Sequence, residues 1–309
     1  MKNSLIALLL LVGFSCIKKE SKRIQGYVPV PGGKIWYEII GADKPGTPLL
    51  LLHGGPGFTS DYLRPLEALG DVRPVIFYDQ LGSGRSDRPQ DTALWKLDRF
   101  VEELSALRTE LNLEKIHLFG HSWGTMLATE YLSQRPEGIQ SLVLASPCIS
   151  TGRWLTDTNA LRKQLPQAIQ DTLTLHEQRG TITSQAYLDA TDEFYKRFFC
   201  RIPYTREIQK SFDDQGVDVY NTMWGNNEFT STGSLKTFDR TGVLAQLTVP
   251  TLFTCGEFDE ATPATTRWYA SQVRNAEFKI IPNAAHLTMN EQPEQYAKIL
   301  REFLSKHDR

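Results

Sequence analysis

The chain has 309 residues, of which 40% are hydrophobic and 23% charged, with a formal net charge of −2. That is ordinary globular composition, long enough for one large α/β domain with an insertion or for two domains. The charge balance implies neither a nucleic-acid nor a strongly basic partner.

Met1-Lys2-Asn3 gives a basic start, and Leu5 to Phe14 is an apolar run broken only by Gly13. About ten residues is too short for a bilayer span, which needs roughly 20. The run has the character of a secretory h-region, so residues 1–15 read as a signal peptide and 17–23 as a polar tether. Cys16, two residues past that run, resembles the lipidated cysteine of a bacterial lipoprotein signal, although Gly13 stands where a Leu-like residue is usual. The resemblance implies export and membrane attachment through a lipid on Cys16. A plain signal peptide, giving a periplasmic or secreted protein, is the alternative. The other cysteines, Cys148, Cys200 and Cys255, are odd in number and have no metal-ligand spacing; Cys148 and Cys255 end apolar runs and read as buried thiols.

Ile24–Val30 and Lys34–Ile40 flank Pro31-Gly32-Gly33, a hairpin pattern. Thr47–Leu52 reads as a buried strand running into His53-Gly54-Gly55-Pro56-Gly57, followed by a helix over Tyr62–Leu69 and a strand over Pro74–Tyr78. A helix over Leu97–Leu111 follows the loop Asp79-Gln80-Leu81-Gly82-Ser83-Gly84-Arg85-Ser86-Asp87. Then come a strand at Lys115–Phe119, a helix at Thr125–Leu132 and a strand at Ile139–Ala145. This alternation predicts a doubly wound, mostly parallel sheet over residues 24–146. From 147 to 239 the pattern turns helical and rich in aromatic clusters, which predicts an inserted helical cap. The sheet pattern resumes over 240–309, with strands at Thr251–Cys255 and Glu277–Ile281 and helices at Ala264–Val273 and Glu291–Leu304.

Gly120-His121-Ser122-Trp123-Gly124 lies between a predicted strand and a predicted helix, the setting of a nucleophile elbow. A serine hydroxyl is a weak nucleophile and needs a base, which in turn needs an orienting acid. In α/β hydrolases those partners follow in the order acid, then histidine. Of the histidines after Ser122, His176 falls in the cap and His307 in the tail, while His286 falls in the loop between the last strand and the last helix. Asp259, in Gly256-Glu257-Phe258-Asp259-Glu260, follows the penultimate strand and is the expected acid, with Glu257 or Glu260 as the alternatives. An oxyanion hole requires two backbone N–H donors. They are expected from Trp123 and from the glycine loop, at Gly55 with Gly54 next. This chemistry needs no metal and no cofactor.

His53-Gly54-Gly55-Pro56-Gly57 together with Gly120-His121-Ser122-Trp123-Gly124 resembles the proline iminopeptidase family of α/β hydrolases, and Asp79-Gln80 with Gly82 to Ser86 is similar to that family's following loop. Tyr220-Asn221-Thr222-Met223-Trp224-Gly225-Asn226-Asn227-Glu228-Phe229-Thr230, Gly256 to Glu260 and His286-Leu287-Thr288-Met289 are similar to its tricorn-interacting aminopeptidase branch. The resemblance spans roughly residues 25–305. It implies an α/β-hydrolase fold with a cap, and a serine aminopeptidase that removes one N-terminal residue, often proline, from short peptides. It also implies that Glu228 and Glu260 bind the substrate's free amine. Trp224 and Phe229, and less directly Trp154, Phe194 and Tyr195, are candidates for lining the pocket around that residue. The lipoprotein-like leader departs from relatives that are typically cytosolic. An esterase, lactonase or other acyl hydrolase on the same scaffold is the alternative activity, and a non-catalytic ligand receptor is a third reading. Epoxide hydrolase and dehalogenase chemistry needs a carboxylate where Ser122 stands.

Overall fold

The computed structural model describes residues 21–308; residues 1–15 and Cys16 lie outside that range. An eight-stranded sheet organises the chain in the order β1-β2-β4-β3-β5-β6-β7-β8. The hairpin of β1 (Arg23–Val30) and β2 (Gly33–Ile40) is antiparallel, and β2 pairs antiparallel with β4 (Val75–Tyr78). From β4 onward every pairing is parallel, through β3 (Leu49–Leu52), β5 (Ile116–His121), β6 (Ile139–Ala145), β7 (Thr251–Gly256) and β8 (Glu277–Ile281).

Strand pleating divides the core between the two faces. In β3, Leu50 and Leu52 join the cluster beneath α1 (Leu97–Glu110) and α2 (Trp123–Ser133). Leu49 and Leu51 point the other way, into a cluster with Leu63, Leu66 and the last helix. Burial on both faces explains why β3 reads as an unbroken Leu run rather than an alternating one.

Two predicted helices differ in form, each because of a proline. Tyr62–Leu69 lies within a 3₁₀ segment, Asp61–Asp71, with Pro65 inside it; proline cannot donate the hydrogen bond that a continuous α-helix requires there. The final helix, α11 (Pro293–Lys306), starts two residues later than expected, with Pro293 at its first position, where its missing N–H costs nothing, and a short α10 (Thr288–Glu291) precedes it.

Between β6 and β7 lie α3 (Thr151–Arg162), α4 (Gln167–Arg179), α5 (Gln185–Phe198), α6 (Arg206–Asp213), α7 (Val217–Met223) and the short α8 (Thr241–Leu244). The helix α9 (Pro263–Ser271) then connects β7 to β8. The inserted helices bury a small core of their own around Leu173, Tyr187, Phe194, Phe198 and Phe229. They are tied back to the sheet's loops by backbone bonds, Gly216 N–H to Gly57 O at 2.7 Å and Gly84 N–H to Asp214 O at 3.0 Å. Those bonds close the helices over the C-terminal ends of the central strands, where ligands bind in open α/β sheets.

Candidate active site

Ser122 occupies the turn between β5 and α2 with φ 54° and ψ −121°, backbone values that a non-glycine residue adopts only when its surroundings enforce them. They do so here because the strand, turn and helix approach too closely for side chains. A Cβ on Gly120 would lie 2.4 Å from the Gly124 carbonyl oxygen, and one on Gly124 only 2.2 Å from that of Leu52. The flanking glycines therefore permit the packing, and the packing holds Ser122 in place. As the first residue of α2, Trp123 has a backbone N–H with no carbonyl earlier in the helix to receive it.

The glycine loop passes directly over the serine, so that a Cβ on Gly54 would stand 3.3 Å from Cβ of Ser122. Gly54 N–H donates to the Tyr62 hydroxyl at 2.8 Å. That bond occupies the Gly54 N–H, whereas Gly55 lines the same cavity as Ser122 and Trp123.

His286 is buried, and its Nδ1 lies 2.8 Å from Oδ1 of Asp259. Three further bonds fix the Asp259 carboxylate: from the Ser146 hydroxyl at 2.6 Å, from Gly256 N–H at 3.1 Å and from Ala261 N–H at 2.8 Å. With a carboxylate as acceptor, Nδ1 of His286 carries the proton and Nε2 is free to accept one. Of the three neighbouring acids, Glu257 is exposed and accepts Asn283 N–H at 3.0 Å, away from His286. Glu260 approaches the other ring nitrogen, with Oε1 3.9 Å from His286 Nε2.

A cavity of about 430 Å³ opens in front of these groups. Ser122, His286, Gly55 and Trp123 line its floor, and Trp154, Tyr195, Tyr220, Trp224 and Glu228 come from the helical insertion. The carboxylate of Glu228 accepts hydrogen bonds from the Tyr220 hydroxyl at 3.0 Å, Trp154 Nε1 at 3.2 Å and the Tyr195 hydroxyl at 3.4 Å. Glu260 is only 2% exposed, and its Oε2 is buried with no hydrogen-bond partner among the described residues. Burial raises the Glu228 carboxyl above its ordinary 4.5 against the pull of Tyr220 and Trp154. Burial, then Glu228, then Asp259 push Glu260 well above that value. Two buried carboxylates that repel each other, one with a bare oxygen, form a site that a cation would complete.

Phe229 is not among the cavity-lining residues. It is buried in the core of the helical insertion, edge-on to Phe194 with ring centroids 4.9 Å apart, and Phe194 is buried there with it. Adjacent to Glu228 in sequence, Phe229 turns to the opposite side of the loop and anchors it. Trp224, Trp154 and Tyr195 do reach the cavity. Cys148, Cys200 and Cys255 are all buried free thiols.

A model of the alpha/beta hydrolase fold matches residues 47–293. The proline iminopeptidase of Heyndrickxia coagulans is 44% identical over 283 residues, 91% of this chain and 98% of that one. The proline iminopeptidase of Levilactobacillus brevis is 38% identical over 288 residues, 91% and 96% of the two chains. This chain belongs to the proline iminopeptidase family of α/β hydrolases. The solved structure of the family's Mycobacterium smegmatis enzyme superposes with a TM-score of 0.85 at 34% identity, covering 92% of this chain and 99% of the other.

Several residues that brace the site in this family member carry no motif signal. Tyr62 is read from sequence only as a helix residue, and Ser146 only follows a strand. Phe199 lies against the His286 ring, tilted by 30° with centroids 5.7 Å apart. The Asp79-Gln80 motif also acquires a physical role. Gln80 accepts Trp123 Nε1 at 2.9 Å and donates to the His53 carbonyl at 3.2 Å, which couples the glycine loop to the residue after the serine. Asp79 receives Ser60 N–H and Arg85 N–H, both at 2.9 Å, and so closes the loops beneath them.

Proposed function

We propose that this protein is a serine aminopeptidase that releases one N-terminal residue, proline or another apolar residue, from short peptides. The observation that carries the reading is the Glu228 and Glu260 pair in the cavity of Ser122, with one Glu260 oxygen unpartnered among the described residues. A peptide's α-ammonium supplies the missing positive charge and donors through charge-assisted hydrogen bonds. Glu260 Oε1 lies 3.9 Å from His286 Nε2, so an amine anchored there is held beside the base that serves Ser122. Trp154 and Trp224, crossed at 84°, offer apolar faces for its side chain. The motifs around both glutamates support the tricorn-interacting branch in particular.

In this mechanism Ser122 Oγ attacks the first carbonyl carbon while Nε2 of His286 takes its proton. Asp259 holds the ring's tautomer and stabilises the imidazolium. The backbone N–H groups of Gly55 and Trp123 receive the developing oxyanion, a contribution worth roughly 3–4 kcal/mol per donor. His286 then protonates the departing amine, and water releases the acyl group from Ser122 by the reverse sequence. An ester or lactone substrate would have no use for the two carboxylates, which disfavours the esterase alternative.

Hydrolysis of Pro- and Ala-naphthylamide with and without N-acetylation tests the reading, on wild type and Ser122→Ala. Acetylation removes the charge and two strong hydrogen bonds, so kcat/KM should fall at least about 100-fold. Equal turnover of blocked and free substrates would refute amine anchoring.

We further propose export and membrane attachment through a lipid on Cys16, supported by the apolar run and the cysteine two residues past it. Cys16→Ala should then release the protein from the membrane fraction, and an unchanged distribution rules the anchor out.

A further inference from the structure

The cavity extends well beyond the space needed by one residue. Leu188, Thr191 and Tyr195 all line it and recur along one face of α5, and Tyr195 ends at the Glu228 carboxylate. From Tyr195 to Leu188 the helix rises about 10 Å, equal to roughly three residues of extended chain. α5 therefore runs from the amine anchor at Glu228 to the exposed Leu188 along one wall of the cavity.

The mouth is uncharged and open. Eight large apolar side chains are exposed among the described residues, and two of them, Leu188 at 50% and Val217 at 57%, line this cavity. Ile182, Thr191 and Gln215 are further lining residues, and among the described residues no lysine or arginine lines the cavity anywhere. The only carboxylates among those lining residues are Glu228 and Glu260, at the inner end. A substrate whose amine sits on that pair places the residue after the scissile bond among uncharged groups. A carboxylate there meets no cation and is repelled by the inner pair.

We propose that the cavity mouth at Leu188 and Val217 is a charge filter on the leaving-group side, admitting an uncharged apolar residue after the scissile bond and rejecting a free carboxylate there. The substrate class is thus peptides of three or more residues with an apolar second residue, or terminal amides, rather than free dipeptides. This inference rests on the aminopeptidase reading, since the amine anchor sets the direction in which the substrate lies.

The test compares kcat/KM for Pro-Leu-NH2 and for Pro-Leu with its free C-terminal carboxylate, on wild type, Leu188→Lys and Val217→Lys. One unscreened like-charge repulsion over such a distance amounts to about tenfold, so wild type should favour the amide by about tenfold or more. A lysine at the mouth should bring the two substrates to within about threefold. Equal wild-type rates for amide and acid, with N-acetyl-Pro-Leu-NH2 still refused, overturn the filter and leave the aminopeptidase reading standing. An unchanged preference in both folded lysine variants overturns the placement of the filter at these residues. Failure to cleave Pro-Leu-NH2 while Pro-naphthylamide is still turned over overturns the filter alone, and refusal of the Pro- and Ala-naphthylamides as well overturns both readings together.

Discussion

The Tyr62 hydroxyl stands 2.8 Å from Nδ1 of His121, and the bond joins the glycine loop to the loop that carries His286. Its direction is fixed. His121 Nε2 lies 2.9 Å from the His286 carbonyl, which can only accept, so Nε2 carries the proton and Nδ1 accepts from Tyr62. The Tyr62 oxygen in turn accepts Gly54 N–H. Burial holds His121 well below its ordinary 6.5, with His286 adding to the effect, so this chain stays neutral while His286 gains and loses a proton.

Tyr62→Phe should therefore leave a buried N–H and a buried ring nitrogen unpartnered, costing about 1–3 kcal/mol of stability. Because the glycine loop and His286 are both held by this chain, kcat should also fall about tenfold with KM less affected. Steady-state kinetics beside thermal unfolding separates the two effects. A lower Tm with unchanged kcat would make Tyr62 purely structural.

Glu260→Gln removes a buried carboxyl that lacks a full set of partners. Unfolding should move to higher temperature, by an amount corresponding to about 0.5–2 kcal/mol, while turnover of free-amine substrates collapses. Differential scanning calorimetry and Pro-naphthylamide kinetics on one preparation check both directions. Loss of stability would contradict the picture of a site strained for binding.

The raised carboxyls set the sign of the pH dependence. As pH falls through the raised values of Glu228 and Glu260, the pair gains protons and the ammonium loses its partners, so kcat/KM should fall on the acid side. Fold stability should move the opposite way. The fold retains protons that the unfolded chain has released, so stability declines as pH rises from about 4.5 through the raised values. Glu260→Gln should flatten that decline, which urea titrations across the range would reveal.

Phe229 and Trp224 lie five residues apart and should respond differently. Phe229→Ala opens a void in the core of the helical insertion and should destabilise by about 3–5 kcal/mol. Trp224→Ala strips an apolar wall of the cavity and should raise KM for Pro-naphthylamide about tenfold. A large KM effect in a Phe229→Ala enzyme with unchanged stability would contradict its placement.

The C-terminal Asp308 clamps a buried arginine. Both its oxygens lie 2.9 Å from the Arg73 guanidinium, and Oδ1 is 3.1 Å from His117 Nε2. Burial raises the Asp308 carboxyl, but Arg73 and His117 outweigh that and hold it below its ordinary 3.8. Its contribution is thus present above pH 3.8 and lost as pH falls through the lowered value. Arg73 is buried but Asp308 is exposed, so solvent screens the pair, and Asp308→Asn should cost about 1 kcal/mol in urea unfolding at neutral pH.

Much of the molecule was legible in the sequence because its signals are local. The Leu run of β3, the strand, glycine turn and helix around Ser122, and the return of the sheet pattern at Thr251 are each set by neighbours within a dozen residues. Chain order and strand ends likewise singled out Asp259 and His286, and the motifs around Glu228 and Glu260 singled out the glutamates. What only the tertiary structure decided depends on residues far apart in the chain. Gly54 and Gly55 look equivalent until the Tyr62 hydroxyl takes the N–H of the first. Phe229 reads as a pocket residue until the loop turns it into a core formed by α4 and α5. The bare oxygen of Glu260 and the uncharged mouth at Leu188 and Val217 exist only because the inserted helices close over the sheet. Burial and charge pairing are properties of the space these segments enclose, and local sequence patterns do not encode that space.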